Sequence, residues 1–187
     1  MTGGRIAVRT AGAAQAPKLH ALISANLEEG HLLPRALDEL VVHAERFAIA
    51  VRGKKIVGCA ELAPLSPRVA EVRSLAVDRL DRSRGVGTLL VDELRRRARH
   101  EGFEKLCAFT HAPGYFIQMG FSIVPHLWLP EKIFTDCVRC PHFRQCGQHA
   151  MIVSLDEAQD RSHDDVRGRR VELLVDEGRP ASVARHA

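Results

Sequence analysis

Two arginines and two glycines form the stretch of this sequence with the clearest chemical meaning. Arg82-Ser83-Arg84-Gly85-Val86-Gly87 follows an apolar run, Val72 to Val77, and precedes a segment with helical periodicity. Glycines between a strand and a helix let the backbone turn tightly and approach a ligand. The N–H groups at the start of the helix then favour an anion such as phosphate. The alternative interpretation is a plain strand-to-helix turn with both arginines in solvent.

The residues around this turn exclude two other phosphate-binding patterns. No Gly-Lys-Ser/Thr follows the glycines, so the turn is not a Walker loop. The Gly-x-Gly-x-x-Gly fingerprint of dinucleotide-binding folds is also absent.

Composition and charge favour a small anionic ligand over a nucleic acid. The chain has 187 residues, 45% of them hydrophobic, and a formal net charge of +4. A mildly basic protein suits polyanionic small molecules and carboxylate substrates. Aromatic residues make up only 5% and do not interleave with a basic patch, so we expect no nucleic-acid partner.

The sequence predicts a cytoplasmic protein with reduced thiols. No run approaches the roughly 18 consecutive apolar residues of a membrane span, so we expect no membrane partner. The stretch from Met1 to Ala16 lacks the apolar core of a signal peptide. Without an export signal, the five cysteines are expected to stay reduced.

Hydrophobic periodicity predicts an α/β (α+β) fold in the order β-αα-βββ-α-β-α-β-β. The longest predicted helix runs from Gly85 to His100, with one face formed by Leu89, Leu90, Leu94 and Ala98. We expect one domain over residues 1–155. From residue 156 to 187 the composition turns to Asp, Glu and Arg, which indicates a charged, flexible tail.

Two local motifs resemble those of the GNAT acetyltransferase superfamily. One is Leu75-Ala76-Val77 leading into the Arg82–Gly87 turn, which resembles the acetyl-CoA pyrophosphate motif. The other is Tyr115-Phe116-Ile117-Gln118-Met119-Gly120-Phe121, similar to the aromatic-x-x-x-Gly-Phe element after the fifth strand. The resemblance covers roughly residues 5 to 155. It implies a mixed central sheet of six to seven strands flanked by about four helices, with acetyl-CoA as cosubstrate.

Within that superfamily the chain is most similar to bacterial N-acetylglutamate synthases. Three stretches carry the similarity: residues 30–35 (GHLLPR), 71–77 (EVRSLAV) and 129–141 (LPEKIFTDCVRCP). The implied reaction is acetyl transfer from acetyl-CoA to the α-amine of glutamate, the first step of arginine biosynthesis. The chain resembles the short form without an amino-acid-kinase domain. Glutamine as a second substrate, arginine as an inhibitor and a homodimer are left open.

The resemblance assigns a set of residues to acetyl-CoA. Backbone N–H groups would hold the pyrophosphate, arginines would add charge and hydroxyls would add contacts, while main-chain groups at the end of the fourth strand would bond the pantetheine arm. In that strand a nearby N–H would polarise the thioester carbonyl. The residues are Leu75, Val77, Arg82, Ser83, Arg84, Gly85, Val86, Gly87 and Thr88.

Cations are expected to converge on a substrate with two carboxylates. Arg35 matches the arginine of the family's inter-helix motif and can form a bidentate pair with a carboxylate. Arg73 and Lys132 are further candidates, and period-two alternation predicts Arg73 on the same face as Glu71 and Leu75. Two hydroxyl residues, Ser74 and Thr110, complete the predicted substrate site.

Two residues are candidates for proton transfer. Glu71 matches the fourth-strand glutamate that works through water in many GNAT enzymes, although a glutamate at a strand start is often simply solvated. Many members keep a tyrosine four residues before the glycine of the Gly-Phe pair. Here Phe116 occupies that position and Tyr115 precedes it. Tyr115 is the candidate acid, but one helical step rotates a side chain by about 100° and so turns Tyr115 away from the family position. Protonation of the CoA thiolate by water, or by no specific group, is the alternative.

Three cysteines form the most metal-like cluster of the chain. Cys137, Cys140 and Cys146 have the spacing C-x2-C-x5-C, and His142 or His149 would be a fourth ligand for Zn²⁺. A second Cys-x-x-Cys pair is missing, so we expect free or redox-prone thiols and no metal, with a zinc site as the alternative.

Two other classes of function remain open at this point. One is a GNAT acetyltransferase acting on a different amine, such as a protein N-terminus, a polyamine or a drug. The other is a non-catalytic module that senses CoA or arginine.

Overall fold

A mixed β-sheet forms the frame of the molecule. The computed structural model describes residues 5–29, 32–140 and 142–156. Within these residues the sheet has seven strands in the order β1-β2-β3-β4-β5-β7-β6. The strands are β1 (Ile6–Thr10), β2 (Phe47–Arg52), β3 (Lys55–Pro64), β4 (Val69–Val77), β5 (Lys105–Thr110), β6 (Ser122–Val124) and β7 (His149–Ser154).

Five α-helices lie in the described part of the chain, one more than expected. They are α1 (Ala16–Ser24), α2 (Leu37–Val42), α3 (Val86–His100), α4 (Pro113–Gln118) and α5 (Pro130–Thr135). The order of elements matches the prediction except for α5, an additional helix between β6 and β7. The predicted α+β fold with a mixed sheet is confirmed.

The sheet opens between its two parallel strands. β4 and β5 pair from Val69 with Lys105 to Val72 with Ala108. Beyond that pair β4 continues to Val77, still bonded to β3, and β5 continues to Thr110, bonded to β7. The two strands therefore diverge at their carboxyl ends and leave a gap in the middle of the sheet.

Helix α3 covers one face of the sheet with five buried residues: Val86, Leu90, Val91, Leu94 and Ala98. Leu89 was predicted on this face but is 45% exposed, because the buried stripe passes through Val86 and Val91 instead. The helix ends in a Schellman motif at Gly102 (φ 84°), where Phe103 N–H donates to the carbonyl of Ala98 at 2.9 Å.

The opposite face is covered by two separate groups of elements. Helices α1 and α2 pack on β2 and β3 through Leu19, Ile23 and Leu40. The segment around α5 covers β5 and β7 through Leu129, which is fully buried. Between these two groups, the middle of β3 and β4 carries charged side chains.

Two predictions concern the C-terminal tail and membrane crossing. The predicted tail, residues 156–187, lies outside the described residues apart from Asp156, so its flexibility stays a prediction. Among the described helices, none combines the length and apolar character needed to cross a membrane.

Candidate active site

The predicted phosphate turn has the backbone geometry that an anion site needs. Gly85 is the N-cap of α3 in the left-handed region (φ 77°), and Ser83 is also left-handed (φ 59°). Within the described residues, no side chain caps this helix start, so the N–H groups of Val86, Gly87 and Thr88 are left for a ligand. A 15-residue helix also carries a positive end at this point.

The two arginines of the turn have different environments. Arg82 donates from Nε to the carbonyl of Val77 at 3.2 Å and from Nη2 to Asn26 Oδ1 at 2.5 Å. Arg84 is exposed, with Nη1 4.0 Å from the buried carboxylate of Asp81. Arg82 therefore ties the turn to the end of β4 and to α1, whereas Arg84 extends into solvent beside the helix start.

Glu71 is a buried carboxylate next to the point where β4 and β5 separate. It is 3% exposed and pairs in register with Cys107, one residue before the last β4–β5 pair. Lys132 Nζ donates to both carboxylate oxygens at 2.8 Å, and Arg73 Nε donates to Oε2 at 2.6 Å. The structure thus brings together three of the predicted site residues, from β4 and α5.

A second carboxylate, Asp136, closes this group on the α5 side. It accepts from Lys132 Nζ at 2.9 Å and also pairs with Arg73. Burial lowers the pKa of Arg73, but the charges and hydrogen bonds of Glu71, followed by Asp136, outweigh it and raise the pKa above its usual range. Two cations are thereby shared between two carboxylates.

Arg35 forms a neighbouring group on the same face. Its Nε and Nη2 donate to the carboxylate of Glu39 at 3.1 and 2.6 Å. Its Nη1 donates to Glu61 Oε2 at 2.7 Å and to Ser74 Oγ at 2.9 Å. Burial lowers the pKa of Arg35, and the bonds to both glutamates outweigh that effect and raise it. We call the set Arg35, Glu39, Glu61, Glu71, Arg73, Lys132 and Asp136 the ion cluster.

A bulge in β4 joins the two halves of the ion cluster. Between Arg73 and Ala76 the strand has one residue more than β3 opposite it, and Ser74 takes a left-handed conformation (φ 48°). Ser74 therefore contacts Arg35, while Leu75 packs on the α3 side of the sheet. The prediction that Arg73 shares a face with Leu75 is wrong, because the bulge interrupts the alternation.

The Tyr115 hydroxyl lies at the start of α3 and not in the ion cluster. A Cβ placed on Gly87 would be 2.8 Å from this oxygen. Burial raises the pKa of Tyr115 to about 12. Phe116 is buried in an edge-to-face pair with Phe121. A role for Tyr115 as the acid stays a prediction, and its position places it beside the phosphate turn.

The structure also describes the surroundings of Thr110 and of the cysteine loop. Thr110 Oγ1 accepts from the N–H of Ala112 at 3.0 Å and so caps the end of β5. Over the described ranges, no group of three or more His, Cys, Asp or Glu side chains is arranged to hold a metal ion, the cysteine loop included. Burial raises the pKa of the Cys137 thiol.

Sequence reasoning missed three carboxylates of the ion cluster: Glu39, Glu61 and Asp136. Glu61 offered a signal, since it interrupts the apolar run of β3 and is nevertheless 1% exposed. Glu39 stands four residues after Arg35, which is the spacing of a helical ion pair. Asp136 is 63 residues from Arg73, and nothing local in the sequence indicates that contact.

Two known proteins are similar to this chain in sequence over most of its length. An uncharacterised N-acetyltransferase of Chlorobaculum tepidum is 31% identical over 79% of this chain and 96% of its own length. An amino-acid acetyltransferase of Neisseria meningitidis is 30% identical over 79% of this chain, which spans 33% of that longer protein.

A solved structure shows the same fold. N-acetylglutamate synthase from Neisseria gonorrhoeae, complexed with coenzyme A and N-acetyl-glutamate, superposes with a TM-score of 0.74 at 25% identity. The match covers 83% of this chain and 36% of that one. The profile of the acetyltransferase (GNAT) family matches residues 17–121, more than half of the sequence. The chain belongs to the GNAT family and is an acyltransferase.

Proposed function

We propose that this protein transfers the acetyl group of acetyl-CoA to the α-amine of glutamate. The observation that carries the proposal is the ion cluster beside the gap between β4 and β5. In it Arg73 and Lys132 pair with the buried carboxylate of Glu71. Arg35 pairs with the buried carboxylate of Glu61. A dicarboxylate amino acid brings two carboxylates that can bind these cations and one ammonium that can pair with a carboxylate of the cluster, once a present partner is displaced.

The cosubstrate is acetyl-CoA, which we assign to the other side of the gap. The N–H groups at the start of α3 bind the pyrophosphate, with Arg84 adding charge. The pantetheine arm follows the unpaired edge of β4 between Leu75 and Val77. This direction leads the thioester through the gap to Glu71.

In the reaction, Glu71 accepts a proton from the substrate ammonium, directly or through one water. The free amine attacks the acetyl carbonyl carbon, so a C–N bond forms and the carbonyl oxygen becomes an oxyanion. A backbone N–H freed by the bulge at Ser74 stabilises that oxyanion. The intermediate then collapses: the C–S bond breaks, and the CoA thiolate leaves and takes a proton from Tyr115 or from water. The nitrogen, which became cationic in the attack, gives its second proton to the resulting phenolate or hydroxide, and the neutral amide remains.

Two relatives support the glutamate assignment. The Neisseria meningitidis relative carries the name amino-acid acetyltransferase, and the Neisseria gonorrhoeae structure contains N-acetyl-glutamate. Both are much longer proteins, and this chain corresponds to about a third of each. Glutamine as a second substrate, arginine as an inhibitor, a homodimer and a cytoplasmic location stay predictions.

The experiment is a CoA-release assay with acetyl-CoA and each of the twenty amino acids in turn, using the purified chain. We expect turnover with glutamate that exceeds turnover with aspartate, lysine and the neutral amino acids. Turnover with other amino acids but none with glutamate would contradict the proposal.

A second candidate function has one observation in its favour. The ion cluster holds four carboxylates and three cations, all of them paired with one another. An excess of negative charge suits a cationic amine, so a diamine and a peptide with a free N-terminus belong in the same assay. Turnover restricted to these amines would favour that function, and tight CoA binding without any turnover would favour a sensing module.

A further inference from the structure

Arg35 uses most of its hydrogen-bonding capacity inside the protein. A guanidinium has five N–H groups. In the described structure, Arg35 donates four of them to Glu39, Glu61 and Ser74. One N–H is left, and a bidentate bond to a substrate carboxylate needs two. A carboxylate can therefore bind Arg35 in this way only if one of the present partners leaves.

The two glutamates differ in how easily they can leave. The Glu61 side chain is 2% exposed, whereas that of Glu39 is 43% exposed. Moving Glu61 away from Arg35 would strand a buried charge, which is strongly unfavourable. Glu39 can instead rotate into water, where its charge is solvated. The exchangeable partner is therefore Glu39.

The bond that Glu39 makes has the geometry of a substrate carboxylate. Its two oxygens accept from Nε and Nη2 side by side, at 3.1 and 2.6 Å, which is the fork arrangement of arginine–carboxylate recognition. Phe47 lies against the guanidinium, with its ring centroid 5.9 Å from the central carbon. Phe47, Glu61 and Ser74 thus hold Arg35 in place while its outer edge faces Glu39.

We propose that Glu39 is an internal ligand which occupies the substrate-carboxylate position on Arg35 and is displaced when substrate binds. The proposal rests on the proposed function, because it assumes a carboxylate substrate. Its consequence is competition: every substrate molecule must first replace Glu39, which raises the apparent KM. Glu39 is therefore a specificity-determining residue, because a ligand without a carboxylate cannot replace the two charged hydrogen bonds that Glu39 makes with Arg35.

The test is the variant Glu39→Gln, which keeps the shape of the side chain and removes its charge. Glu45→Gln is the matched control, since Glu45 is an exposed carboxylate six residues away that is not a partner of Arg35. Two quantities are measured in each protein: the KM values for glutamate and acetyl-CoA with kcat, and the Kd of glutarate by calorimetry in the presence of CoA. Glutarate is a dicarboxylate without an amine, so its binding does not require turnover.

We expect Glu39→Gln to lower the glutamate KM and the glutarate Kd by about two- to fivefold, in line with the loss of one partly exposed charged pair. The KM for acetyl-CoA should stay the same, and Glu45→Gln should change neither value. The glutarate measurement is repeated in the double variant Arg35→Ala/Glu61→Gln, with and without Glu39→Gln. The double variant removes the guanidinium of Arg35 and also the buried charge of Glu61, which would otherwise lack its partner. There Glu39→Gln should have no effect.

Four outcomes separate this proposal from the proposed function. An unchanged or higher glutamate KM in Glu39→Gln, with turnover intact, overturns the proposal and leaves the function standing. Tighter glutarate binding by Glu39→Gln without glutamate turnover in any variant supports the proposal and contradicts the function. The same gain in the background without Arg35 overturns the proposal. The proposal is also overturned if glutarate binds none of the variants.

Discussion

Replacing Arg35 by alanine tests whether the ion cluster contributes to stability as its burial indicates. The Arg35 side chain is 10% exposed and that of Glu61 is 2% exposed. Removing one partner of such a buried pair costs about 3–5 kcal/mol, because the other charge is left in a poorly solvated position. For a protein of this size, each kcal/mol lowers the melting temperature by roughly 2–4 °C. We therefore expect Arg35→Ala to melt about 6–20 °C lower.

The assay is thermal and urea unfolding followed by far-ultraviolet circular dichroism, with two companion variants. Arg35→Ala/Glu61→Gln should regain most of the lost free energy of unfolding, since the stranded charge is removed. Arg68→Ala breaks a solvent-exposed pair with Glu104 and should leave the midpoint unchanged within error. If Arg35→Ala unfolds within 1 kcal/mol of the unmodified chain, or if Glu61→Gln does not rescue it, the reasoning about this buried pair is refuted.

Three further predictions follow from other contacts. Gly87→Ala should weaken CoA binding in calorimetry, because its Cβ would lie 2.8 Å from the Tyr115 hydroxyl, and adding Tyr115→Phe should restore part of the affinity. Glu71→Gln should lower kcat by about 10²–10⁴-fold, and full activity across pH would exclude Glu71 as the base. Hydrogen bonds from Arg96 hold the pKa of Glu93 below its usual value of 4.5. Glu93→Gln should therefore lower stability above that pH, and the difference from the unmodified chain should vanish as the pH falls through the lowered pKa.

The fold and the glycine turn before α3 could be predicted because their signals are local. The glycines at Gly85 and Gly87, the apolar β4 and the periodic α3 all lie within about thirty consecutive residues. Each residue type there has a backbone reason, such as the left-handed conformation of Gly85. Local signals also explain why Glu71, Arg73 and Lys132 could be carried over from family motifs.

The bulge in β4 could not be predicted in the same way. Ser74 has a left-handed conformation without being glycine or asparagine, so no residue type announces it. The extra residue changes which side of the sheet Leu75 faces, and strict alternation therefore assigned it wrongly. The strand can hold this conformation because the Ser74 hydroxyl bonds to Arg35 and its carbonyl accepts a 3.7 Å contact from the Cys59 thiol.

The contacts of Glu61 with Arg35 and of Asp136 with Arg73 were missed because these partners are distant in sequence. Arg35 is 26 residues from Glu61, and Arg73 is 63 residues from Asp136. Hydrophobic periodicity predicts which residues face a core, but it does not predict which buried charged side chains form ion pairs with one another. Only the packing of α5 and of the segment before α2 on the same face of β3 and β4 brings these charges together.

The measurement that tests the account most directly is a crystal structure of the protein with CoA and N-acetylglutamate. We expect one ligand carboxylate to be bound in a fork by Arg35, with Glu39 turned into solvent. We also expect the acetamido nitrogen to face Glu71 and the CoA pyrophosphate to lie on the N–H groups of Val86, Gly87 and Thr88. A structure with CoA at that turn but with Arg35 still bound to Glu39 and N-acetylglutamate outside the ion cluster would contradict the central claim.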